Sequence, residues 1–132
     1  MRRQEIETPR LRLRPFGFDD AERLHALFVE PDVRKYLWDD EIIPRERTAS
    51  LVKASVERFT QDGLGLWAVL PKAEDRLMGF VGFWFFHEPP ELELLYGLSS
   101  RYWNQGFATE SAVAMMRYGF EDLSFSTYRG EH

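Results

Sequence analysis

Residues 98–111 carry the pattern with the most chemistry in this chain. An alternating apolar stretch ends at Leu98, a short turn follows, and a helical pattern opens at once on Gly106 and small residues. The first backbone N–H groups of a helix have no internal partner, and the helix dipole makes that end positive. A phosphate-bearing ligand can be held there by main chain alone. Gly106 lets a ligand come close to the chain, Ala108 keeps the first turn slim, and Thr109 adds a hydroxyl. Residues 102–109 contain no acidic side chain, so no carboxylate opposes an anion before Glu110. The same pattern also suits a plain strand–turn–helix junction with a glycine at the bend, and one glycine does not decide between the two.

The elements that would position this segment follow from periodicity. Leu11 and Leu13 alternate with Arg12 and Arg14 and stop at Pro15. This predicts a first strand near a sheet edge with its arginines on a solvated face. Phe18-Asp19-Asp20 opens a helix, with Asp19 and Glu22 spaced as a capping box and Ala21, Leu24, Leu27 and Phe28 on one face. Pro31 ends it, and residues 33–37 form a further helical turn. Residues 38–45 read as a loop. Pro44 suits the first position of a second helix, which Gly63 and Gly65 close. Residues 66–70 and 78–86 predict a hairpin across the polar turn 71–76. Its second strand is apolar almost throughout, which implies cover on both faces. Glu88-Pro89-Pro90 predicts a turn, residues 91–98 a strand, 107–121 a helix, and 123–128 one more strand. The order β-α-α-β-β-β-α-β is an α+β arrangement, a mixed, mostly antiparallel sheet flanked by helices, in a single domain spanning residues 1–132.

Composition narrows the function. The 132 residues are 44% hydrophobic and 30% charged, a balance that supports one buried core. No cysteine is present, which excludes disulfide scaffolds, thiol nucleophiles and cysteine-ligated zinc. A formal net charge of -5 argues against nucleic acid as the main ligand. The longest apolar run, residues 78–86, is far short of the roughly 20 residues a membrane-spanning helix needs. Basic residues at the start are not followed by an apolar segment, so a secretory signal is not expected and the protein is placed in the cytoplasm. No metal is called for.

The segment Arg101-Tyr102-Trp103-Asn104-Gln105-Gly106-Phe107-Ala108-Thr109-Glu110 resembles the acetyl-CoA-binding signature of the GNAT superfamily of N-acetyltransferases. Arg101 matches the leading basic position, Gly106 the second glycine, and Asn104 stands where the first glycine is usual. Asparagine is the residue after glycine that best tolerates a positive φ. Thr8-Pro9-Arg10-Leu11-Arg12-Leu13-Arg14-Pro15-Phe16 is similar to the opening of the ribosomal-protein N-terminal acetyltransferase (Rim-type) branch. Asp20-Ala21, Val33-Arg34-Lys35-Tyr36-Leu37 and Met78-Gly79-Phe80-Val81-Gly82-Phe83 fit that branch too.

The resemblance implies the GNAT fold, acetyl-CoA as co-substrate and an amine acceptor, either a protein N-terminus or a small molecule. It implies a pyrophosphate on the amides of Gln105, Gly106, Phe107 and Ala108, and a thioester beside the strand that ends at Leu98. Trp103 is expected to pack. An acceptor amine is protonated at neutral pH and needs a general base. Glu93 is the first candidate, because it lies on the strand leading to the cofactor loop where the Rim-type branch carries a glutamate. Glu91 on the same face is the next. His87, near the end of the preceding strand, has a suitable unperturbed pKa. Each of the three also suits a solvated surface position. Family members usually continue beyond this chain's last residue with a helix and a closing hairpin. A C-terminally truncated fold is therefore expected, with an open edge at residues 124–129 and self-association as a homo-oligomer. The alternative function is a catalytically weak or inactive CoA-binding or dimerisation module.

Overall fold

The computed structural model describes residues 4–86 and 91–123. Five antiparallel strands lie in the order of the chain: β1 (Ile6–Glu7), β2 (Leu11–Pro15), β3 (Gly65–Pro71), β4 (Gly79–Phe86) and β5 (Glu91–Leu98). Between β2 and β3 run a 3-10 turn (Phe18–Asp20), α1 (Ala21–Phe28), α2 (Pro31–Leu37) and α3 (Arg45–Asp62). A second 3-10 turn (Ser100–Tyr102) and α4 (Phe107–Asp122) follow β5.

The central strands are buried on both faces, as the unbroken apolar run predicts. Trp67 and Val69 of β3 with Val81 and Phe83 of β4 point to one side, where they pack with Met115 and Tyr118 of α4. Leu66, Ala68, Leu70 and Phe80 point to the other, with Leu24, Leu27 and Phe28 of α1, Val33 of α2 and Val52 of α3. Strand side chains alternate between faces, so one sheet serves two cores. β5 follows the same rule: Leu94 and Leu98 join the α4 side and Leu95 joins the α1–α3 side.

Several local expectations are corrected. The capping acid is Asp20, not the Asp19/Glu22 pair. Asp20 accepts the Gly17 N–H at 2.8 Å because the chain first makes a 3-10 turn, which moves α1 one position on. Pro44 is the residue before α3 rather than its first residue. Gly63 ends α3 in the left-handed region at φ 79°, as a C-terminal glycine should. The short β1 had no sequence signal, because two residues are too few to show a period. It pairs Ile6 with Leu13 and so covers the outer side of β2. The expected turn at Glu88-Pro89-Pro90 and most of the expected strand at 123–128 lie outside the described residues.

Arg12 and Arg14 of β2, with Arg10 just before it, do not make a simple solvated face. Arg14 forms a two-pronged ion pair with Asp20 at 2.8 and 3.0 Å, and Arg23 adds a contact at 2.8 Å. Arg12 reaches Glu5 and the carbonyl of Glu74. Arg10 points to the start of α4. Among the described residues no helix is long and apolar enough to cross a membrane.

Candidate active site

The chain leaves the sheet at Leu98 under tight control. The Ser99 N–H donates to Met78 O at 2.9 Å, and the Trp103 indole N–H donates back to Leu98 O at 2.9 Å. Asn104 then takes φ 62° and Gly106 φ 86°. Two left-handed residues two apart turn the chain sharply enough for α4 to start on Phe107. Asparagine performs at 104 the backbone task that the family pattern usually gives to glycine.

No side chain caps the start of α4, and its first backbone bond runs from the Glu110 N–H to Gly106 O at 3.0 Å. Among the described residues the amides of Phe107, Ala108 and Thr109 meet no protein acceptor. They border a cavity of about 450 Å³ whose walls come from α2 (Val33, Tyr36, Leu37), the end of β5 (Tyr96, Gly97, Leu98) and the segment from Tyr102 into the first turn of α4. Gly97 brings bare backbone to this wall. A Cβ there would stand 2.8 Å from the Phe80 ring, so only glycine fits.

The structure places the expected residues unevenly. Leu98, Asn104, Gly106, Phe107, Ala108 and Thr109 all border the cavity. Arg101 and Gln105 do not. Arg101 is exposed with its guanidinium 6.0 Å from the Tyr102 ring, and the Gln105 amide donates to Arg101 O at 2.9 Å. Glu93 is half-buried on β5, opposite Trp84 on β4 and on the same face as Leu95. The Glu91 side chain and all of His87 lie outside the described residues.

Sequence reasoning missed Arg10. Its Nε donates to Glu110 at 2.7 Å and its Nη1 to Gln105 O at 3.0 Å, and its guanidinium lies 4.2 Å over the Phe107 ring. The Glu110 carboxylate also accepts the Arg10 N–H at 2.9 Å and the Thr8 hydroxyl at 2.5 Å. Burial alone would push the Glu110 carboxyl up. The hydrogen bonds from Thr8 and Arg10 and the Arg10 charge outweigh it and hold the group below its ordinary value. Glu110 is therefore ionised but paired, and the acid nearest the helix start is neutralised by the cation beside it. The signal lay in the pairing of Arg10 with Glu110, a hundred residues apart, which no local pattern reveals.

A second cavity of about 470 Å³ opens on the α1–α3 face of the sheet. Trp38, Arg47 and Ser50 stand at it with the apolar side chains of Phe28, Trp84 and Leu95, and Leu37 is a wall of both cavities.

Residues 10–132 match the acetyltransferase (GNAT) domain family. The chain belongs to that family and is an acetyltransferase. It is 29% identical over 119 residues to an uncharacterised N-acetyltransferase, YnaD, of Bacillus subtilis, covering 90% of this chain and 67% of that protein. It is 30% identical over 143 residues to the FsC-acetyl coenzyme A-N(2)-transacetylase of Aspergillus fumigatus, covering 96% of this chain and 57% of that one. A GNAT-family acetyltransferase structure from Bacillus anthracis superposes with a TM-score of 0.72 at 26% identity, covering 92% of this chain and 69% of the other. The chain thus spans little more than half to about two thirds of the length of these proteins. The antiparallel sheet flanked by helices is the GNAT fold.

Proposed function

We propose that this acetyltransferase takes its acetyl group from acetyl-CoA and passes it to a primary amine by direct attack. The observation that carries this is the uncapped start of α4, with main-chain amides free of protein acceptors beside an open cavity. The residues there suit a diphosphate: free N–H donors, a positive helix end, a glycine that leaves room, and a Glu110 carboxylate already paired with Arg10. The name of the Aspergillus relative, an acetyl coenzyme A transacetylase, supports the same donor. β5 stands at the border of the described sheet, so a pantetheine arm has strand backbone to pair with.

When bound, the thioester supplies the activated acyl group. The protein's own part is to orient it and to manage protons. Glu93 is proposed as the base. Four residues at about 3.3 Å each put it roughly 13 Å along β5 from Gly97, away from the phosphate loop and toward the reacting end of an extended donor. The base removes one proton from the ammonium. The C–N bond then forms as the C–S bond breaks, and the second nitrogen proton leaves with the thiol. The acceptor is a primary amine on a protein N-terminus, as in the Rim-type branch that residues 8–16 resemble, or on a small molecule. Self-association belongs to the same reading, and sedimentation as a clean monomer at micromolar concentration would remove it.

Calorimetric titration with CoA, beside thiol release from acetyl-CoA over an amine panel, tests the reading. Binding and turnover are expected. Binding without turnover leaves a CoA-binding module, and loss of both overturns the site.

A further inference from the structure

The second cavity is chemically one-sided. Phe28, Trp84 and Leu95 are among its apolar, largely aromatic walls, while Trp38, Arg47 and Ser50 supply its polar groups. Arg47 and Ser50 are three residues apart on α3, so they share a face. Arg47 is exposed with its guanidinium 5.0 Å from the Trp38 ring centre, and among the described residues it has no carboxylate partner. The Trp38 indole N–H is buried and has no acceptor. A buried donor without a partner costs free energy, and a cation held on an aromatic face is presented for use. Both ask for the same thing, an acidic oxygen-bearing group against an aromatic wall.

Resting on the reading that the acetyl donor lies in the first cavity, we propose that the second cavity binds the acceptor: a small amine that also carries a flat apolar body and a carboxylate. The body lies on Phe28, Trp84 and Leu95, and the acid meets Arg47, with Ser50 and the Trp38 N–H as further donors. Leu37, shared by both cavities, marks where the acceptor amine faces the donor. Glu93 is on the same sheet face as Leu95 and Trp84, two residues from that cavity wall.

The test uses matched pairs titrated without any acetyl-CoA. L-tryptophan and tryptamine differ only in the carboxylate, as do L-phenylalanine and phenethylamine, while L-alanine keeps the acid and loses the flat body. The two aromatic acids are expected to bind at least ten-fold more tightly than their decarboxylated partners and than L-alanine. Arg47→Ala is expected to bring the first ratio near one, Arg47→Lys to keep part of it, and neither to change CoA affinity. Trp38→Phe, which keeps a ring and removes the N–H, is expected to weaken the acids several-fold. A ratio near one in the parent, or a ratio unchanged in Arg47→Ala, overturns the inference. CoA titration separates the two readings. If CoA binds and the acids do not, only this inference falls. If the acids bind with the stated ratio and CoA does not, the donor site falls and the aromatic-acid site stands.

Discussion

Gly106 offers the sharpest test of the phosphate loop, because the structure predicts two separable effects of one methyl group. At φ 86° a side chain pays the left-handed penalty, about 1–2 kcal/mol for an L-residue. For a chain of this size that is roughly a 3–8 °C loss in Tm. The second effect is local. A Cβ at 106 would stand 3.2 Å from Nη2 of Arg10, displacing the guanidinium that holds Gln105 O and Glu110. It would also fill the space that the proposed phosphate would enter. Gly106→Ala is therefore expected to weaken CoA at least ten-fold, worth ~1.4 kcal/mol, and Gly106→Asp to weaken it further by adding a carboxylate. Gly63, at φ 79° on the far end of another helix, is the control. Gly63→Ala pays a similar backbone cost and is expected to leave CoA affinity unchanged. Calorimetry and thermal melts on the three variants separate the effects. CoA affinity in Gly106→Ala that stays within three-fold of the parent, with a Tm loss like that of Gly63→Ala, would refute the loop assignment.

The other predictions concern neighbouring groups. Arg10→Ala is expected to weaken CoA about five-fold, the ~1 kcal/mol of a partly exposed ion pair, by releasing the loop and leaving Glu110 unpaired beside the ligand; unchanged titration curves would count against this. Glu93→Gln is expected to lower kcat by about 10²-fold or more while CoA affinity stays normal, and an equally active variant would dismiss Glu93 as base. Asp20 sets an acid limit. Burial alone would raise its carboxyl, but hydrogen bonds from Arg14, Gly17 and Arg23 and the Arg14 charge bring it from 3.8 to about 2. A folded value below the unfolded one contributes stability that is complete above pH 4 and lost as pH falls through 2. Nearly two units at about 1.4 kcal/mol each give at most roughly 2 kcal/mol after solvent screening. Asp20→Asn is expected to cost about 3 kcal/mol near neutral pH and to flatten that part of the pH–stability curve, as chemical denaturation can show.

Local pattern was enough for most elements. The alternation in β5, the apolar run of β4 and the small residues opening α4 each follow from side-chain period, and the period survives because each face meets a different core. It failed where the deciding partner is distant or the element is too short. β1 is two residues long, and the cap at Asp20 depends on a 3-10 turn that the spacing of acids does not encode.

The sequence by itself determined that residues 98–111 form a strand, a turn and a helix whose start is free of acid and roomy at Gly106. Those properties are local, set by side-chain type and backbone freedom. Only the tertiary structure decided that Arg10, just before β2, pairs with Glu110, that Gly97 and Leu98 wall the same cavity as α2, and that among the described residues Arg47 has no carboxylate partner and the Trp38 indole N–H no acceptor beside an apolar cavity wall. Such contacts arise from packing a sheet between two helical layers, and chain positions far apart become neighbours only when that packing is complete.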